Sequence, residues 1–107
     1  MMRERAEHYL GWVNREIDRL QALDAAGGMA MLAVEDRIAT RVEWDDVVDR
    51  YLAVVAAYDR RRLSRDQALC LVDISTRLAA LVPVLERMRL RCPDPEILAR
   101  MRLAAAS

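Results

Sequence analysis

At 107 residues the chain has the length of a single domain, 1–107, with room for a core that needs neither disulfides nor metals. Apolar residues make up 54% and charged residues 32%, which excludes intrinsic disorder, and three Gly with three Pro leave too few turns for a β-sandwich or barrel. The 17 basic and 17 acidic groups cancel, so nucleic-acid binding driven by net positive charge is disfavoured.

The first segment, Met2 to about Leu23, carries Ala6, Leu10, Val13, Ile17 and Leu20 at alternating steps of four and three, the spacing of one helical face. Arg3, Glu4, Glu7, Arg15, Asp18 and Arg19 fill the opposite face, and Tyr9, Trp12 and Leu23 widen the apolar one. His8, the only histidine, falls outside the stripe and reads as solvated. The charged start, Met1 to Glu7, does not have the form of a signal peptide. Gly27-Gly28 ends the helix, because glycine tolerates the left-handed conformation a helix C-terminus needs.

Met29 to about Ala39 reads as a second helix, with Met31, Val34 and Ile38 on one face. Thr40 with Glu43 forms a potential capping box. Either Thr40 starts a new helix near Arg41, or the two segments form one long bent rod. Trp44, Val48, Tyr51, Val55 and Tyr58 then repeat at four, three, four, three. The helix closes on Asp59-Arg60-Arg61-Arg62, basic residues that suit the negative end of the helix dipole.

Ser64 to Cys92 is the most regular stretch. Leu71, Ile74, Leu78, Leu81, Leu85, Met88 and Cys92 form its stripe, and Ser64 with Gln67 makes a capping box. Pro83 predicts a bend near Ala79, since it lacks an N–H, and the continuing stripe predicts that the helix does not break there. Cys92-Pro93 marks the stop. Asp94-Pro95-Glu96 reads as N-cap, N1 proline and first-turn acid of a short last helix reaching about Ala105. Its apolar residues are Ile97, Leu98, Met101 and Ala105. The apolar runs are too short to span a bilayer, and Cys70 and Cys92 read as reduced thiols of a bacterial-type cytoplasm.

Three groups of side chains offer chemistry. Asp45, Asp46 and Asp49 form a D-D-x-x-D pattern that resembles the aspartate-rich motif of isoprenoid synthases over five residues. That resemblance implies Mg²⁺ held against a diphosphate. Those enzymes are much larger bundles with a second acidic cluster, which this chain lacks, so acids favoured by the N-terminal helix dipole are the preferred reading. Glu35 and Asp36 are candidates to complete a metal site from a preceding helix, an arrangement similar to that of small helical metal-dependent pyrophosphohydrolases, whose acidic spacing this chain does not reproduce. Arg60, Arg61, Arg62 and Arg65 form the densest positive patch, suited to a phosphate or an acidic partner. Residues 64–75 resemble the first helix and turn of a helix-turn-helix DNA reader, which implies DNA contacts from Arg65 and Arg77. Asp73 stands where glycine is usual, and the stripe continues unbroken, which favours one helix.

The expected architecture is an all-α bundle of four to five helices around a long, kinked central helix, about 64–92. That helix is longer than its neighbours, so its far end is expected to be uncovered. Leu85, Met88 and Cys92, with Ile97 and Met101, are therefore the expected surface for a second copy or another protein. The function expected is a small non-enzymatic interaction protein without cofactors, with a DNA-binding regulator and a Mg²⁺-dependent phosphate enzyme as alternatives.

Overall fold

The computed structural model describes Met2 to Ala104, with side chains from Glu4 onward; Arg3 and Ala105 of the predicted helix faces lie outside the described side chains. The described chain is all-α. Helix α1 is Met2–Ala25, α2 is Val34–Asp59, α3 is Arg65–Met88 and α4 is Pro95–Leu103, with a 3-10 turn at Gly28–Met31.

The predicted stripe of α1 is fully used. Ala6, Leu10, Val13, Ile17 and Leu20 are all buried. Gly27 and Gly28 take φ of 122° and 78°, reversing the chain after α1 where a side chain would be strained. Only the 3-10 turn and an extended Leu32-Ala33 separate this point from α2, so the helix predicted from Met29 begins instead at Val34 and leaves Met31 outside it. Thr40 caps nothing. It lies inside α2, a single rod of 26 residues and about 39 Å. Trp44, Val47, Val48, Tyr51, Val54, Val55 and Ala57 enter the core from its C-terminal part.

The capping box at the start of α3 is present: Gln67 N–H donates to Ser64 Oγ at 3.2 Å, and Ser64 N–H donates to Gln67 Oε1 at 3.0 Å. The helix runs unbroken through Pro83. It stops at Met88, four residues before the predicted Cys92, because Arg89 turns left-handed at φ 56° and the Leu90 N–H bonds back to the Leu85 carbonyl at 2.9 Å. This 6→1 closure satisfies an end carbonyl without glycine. Asp94 caps α4 as predicted, accepting from the Glu96 N–H at 2.8 Å ahead of the N1 proline.

Helix α1 packs against both α2 and α3, and α4 packs on α3. The α2–α3 connection is short, yet these two helices touch less than either touches α1. The centre of the bundle is therefore shared between α1 and α3. By length and composition α3 could also cross a membrane, which the short uninterrupted apolar runs did not suggest. Here its stripe from Leu71 to Met88 faces the other helices.

The expectation of an uncovered end of α3 is corrected. Leu85, Met88, Leu90 and Met101 are buried within the chain itself. The linker after α3 folds back, and the Trp44 indole N–H donates to the Arg91 carbonyl at 2.8 Å, holding the linker against α2. This places α4 over the apolar end of α3. Burying each such leucine contributes about 1.5–3 kcal/mol, so a chain with enough sequence to cover its own core does so.

Candidate functional site

The expected partner surface is dispersed by the fold. Leu85 and Met101 are completely buried, Met88 nearly so, and Ile97 is half-buried. Only Cys92 is exposed. It edges a shallow groove of about 280 Å³ between α3 and α4, with Ala79, Val82, Pro93, Pro95 and Leu98. Burial and the nearby Glu86 carboxylate push the Cys92 thiol up, and burial with Asp73 does the same to Cys70. Both stay protonated at neutral pH, the less nucleophilic form of a thiol.

The arginines do not form one site. Arg60, Arg61, Arg62 and Arg65 stay together at the α2–α3 turn and are exposed. Arg77 lies about 18 Å further along α3 and points at α1. Its guanidinium donates to the Asn14 side chain, to Asp18 Oδ1 at 2.5 Å and to Gln21 Oε1 at 3.1 Å. Its donors are committed to holding α3 on α1. Residues 64–75 contain no turn: they are the N-cap and first three turns of α3, and the Ser75 hydroxyl is buried inside the bundle. The helix-turn-helix geometry is absent.

Asp45, Asp46 and Asp49 are exposed on α2. Asp49 accepts from Arg91 at 2.7 Å, which fastens the same linker that Trp44 holds. Glu35 and Asp36 sit on the same helix, about 15 Å along it from Asp46, so they complete no site with it. Among the described residues no group of three His, Cys, Asp or Glu side chains is placed to hold a metal ion.

What the fold leaves open is the other side of α2. None of residues 34–43 is buried. Val34, Ile38 and Val42, spaced four apart, are 63%, 56% and 60% exposed, and Met31 just before them is 65% exposed. At 100° per residue this row lies roughly 140° around the helix from the face that enters the core. On the core side the same turns lie along α1: Thr40, Glu43 and Trp44 border a cavity of about 210 Å³ with Leu20 and Leu23. Arg19 reaches across to Glu43 at 3.1 Å. Helix α2 therefore carries two apolar faces, and only one has a partner within the chain.

Sequence reasoning placed Met31, Val34 and Ile38 on one helical face and named no neighbour for it. A signal that the face lies outside the core was present. Continuing from Val34 and Ile38 in steps of four leads to Val42 and then to Asp45 or Asp46, whereas the core row begins at Trp44. Two apolar rows out of phase on one helix point to two different neighbours.

The comparison with known proteins adds no relative. The chain matches no protein-family model, no curated protein and no solved structure.

Proposed function

We propose that this chain is a small helical interaction protein, an accessory subunit, adaptor or regulator that works by docking a polypeptide on the exposed row of α2. The observation that carries the reading is the row itself. Val34, Ile38 and Val42 are more than half exposed and set at four-residue spacing on a helix whose other face is anchored in the core, and Met31, in the 3-10 turn just before that helix, is also exposed. Single exposed apolar residues are ordinary on any surface; a row of three on one helix face is the kind of patch that marks a recognition site. An amphipathic helix presenting anchors at such spacing is a common mode of helix-to-groove or helix-to-helix docking.

The test compares the wild-type chain with Ile38→Asp as bait. Because Ile38 is exposed, circular dichroism and thermal midpoint should be unchanged. A polypeptide held stoichiometrically by the wild type and released by Ile38→Asp supports the reading. Equal retention by both baits, or by neither, overturns it.

A further inference from the structure

We propose that the space between α1 and α2 beneath Arg19 and Glu43 is a binding site for a small neutral molecule, an aromatic ring compound of about eight non-hydrogen atoms that carries one hydroxyl. The site lies on the core side of α2, away from the exposed row, and is independent of the reading of that row.

The space measures about 210 Å³ and has an apolar floor and a charged mouth. Leu20 and Trp44, 3% and 2% exposed, form the floor with the half-buried Leu23 and Leu32. An apolar cavity of about 150 Å³ accepts benzene, so this volume scales to a ring with about two further heavy atoms. Water is a poor occupant of such a floor, because each molecule needs two to four polar partners. The single Trp44 donor is already spent on the Arg91 carbonyl at 2.8 Å. Apolar walls with a few polar groups that fix orientation are the general build of a small-molecule site.

The mouth decides the charge of the occupant. Arg19 donates to Glu43 at 3.1 Å and lies 3.8 Å from Glu16. Arg37, at the Leu32 edge, donates its Nε–H to the Leu32 carbonyl at 3.0 Å. The two acids and two arginines balance. An ionic ligand would have to break the Arg19 pairs and lose its own hydration, with no unpaired opposite charge among the described lining residues to receive it. A neutral ligand leaves these pairs intact.

Thr40 supplies the polar handle. It lines the space half-buried, and its hydroxyl makes no hydrogen bond among the described residues. Thr76, by contrast, returns its hydroxyl to the Val72 carbonyl of its own helix at 3.1 Å. Inside a helix a threonine either bonds back in this way or turns outward. Thr40 does not bond back, so its donor and its acceptor remain for a ligand hydroxyl.

The experiment titrates the full-length chain with p-cresol, toluene, benzylammonium and benzoate and follows the leucine methyl and tryptophan indole NMR signals. The p-cresol complex should have a Kd of about 0.1–1 mM, with Leu20, Leu23, Leu32 and Trp44 moving most. Toluene should bind about threefold to tenfold more weakly, and neither ion should bind below about 10 mM. Thr40→Val keeps the shape and removes the hydroxyl; it should bring p-cresol to the affinity of toluene and leave toluene unchanged. Leu23→Trp should fill the space and abolish both. Silence toward p-cresol up to about 10 mM, or shifts centred elsewhere, such as the groove beside Cys92, overturns the site. A folded Leu23→Trp chain that still binds overturns it too, and the shift map decides the location even where that variant does not fold. Benzylammonium or benzoate binding as tightly as p-cresol overturns the neutral class. Toluene matching p-cresol on the wild type, or p-cresol keeping its advantage in Thr40→Val, overturns the part given to Thr40.

Discussion

The Tyr51 hydroxyl and the Ser75 hydroxyl meet at 2.6 Å in the middle of the bundle, and both side chains are buried. Ser75 gives its own proton to the Leu71 carbonyl at 2.7 Å. The proton between the two oxygens therefore comes from Tyr51, and a chain of hydrogen bonds runs from α2 into the backbone of α3. Ser75 is the one buried polar residue among those described, and no described buried side-chain polar atom is left without a partner. The pair sets the register of α2 on α3, where these helices otherwise touch least.

Removing one member of this pair strands the other. Ser75→Ala leaves a buried phenol without an acceptor and should cost about 1–3 kcal/mol; Tyr51→Phe should cost about 1 kcal/mol. The double variant, which removes both polar groups, should cost less than the sum. A urea double-mutant cycle measures the coupling, and additivity within about 0.3 kcal/mol would refute the pair as a unit.

Alkaline pH should unfold the chain through groups whose neutral forms the fold favours. Burial raises Tyr51 above its ordinary 10.0, and burial raises Cys70 and Cys92 above 9.0. The folded chain holds these protons more tightly than the unfolded one. Their contribution is intact below the unfolded values and is lost as pH rises through them toward the folded ones. The thermal midpoint should fall above about pH 9 as the thiols ionise and fall further as Tyr51 does. In Tyr51→Phe the second decline should disappear. A midpoint that rises between pH 9 and 11 would contradict the assignment.

Arg77 and Arg65 separate a structural arginine from a solvated one. Arg77 is only 31% exposed at its side chain and bridges three residues of α1, so Arg77→Ala should destabilise by about 1–2 kcal/mol. Arg77→Lys should recover less than half of this, because an ammonium cannot reproduce the guanidinium fork. Arg65→Ala should change stability by less than about 0.5 kcal/mol. Chemical denaturation of the three variants gives the comparison, and equal losses at positions 65 and 77 would contradict it.

The helix ends offer stabilisation. Arg61 and Arg89 both adopt φ 56° at the ends of α2 and α3, a conformation that disfavours a side chain. Arg89→Gly should raise stability by about 0.5–1 kcal/mol, and Arg61→Gly by a similar amount. Lower thermal midpoints in both variants would show that their side chains contribute more than the backbone strain removes.

Local features were legible from the chain alone because their causes are local. The stripe of α1, the Ser64–Gln67 box and the Asp94-Pro95 start each rest on residues within a turn or two of one another, and each is present. The helix stop at Met88 was missed because Arg89 occupies a position where glycine is the usual signal. The rod at α2 was left open because Thr40 can cap as readily as it can sit inside a helix.

The candidate site was legible only in part. Val34 and Ile38 were recognised as apolar and helical and Val42 was not singled out, but the direction they face depends on which neighbour claims the other side of α2. Trp44, Val48 and Tyr51 bind that helix to the bundle, and that choice turns Val34, Ile38 and Val42 outward.

By itself, the sequence determined an all-α domain, most of its helices and the residues able to enter a core, because periodicity and capping act over a few residues. Only the tertiary structure decided which apolar rows are satisfied. The far end of α3 looked exposed as an isolated helix, yet α4 and the linker held by Trp44 cover it. The start of α2 showed an apolar face with no assigned neighbour, and it stands open. Burial is a property of the neighbours a residue finds, and those neighbours are set by contacts far apart in the chain.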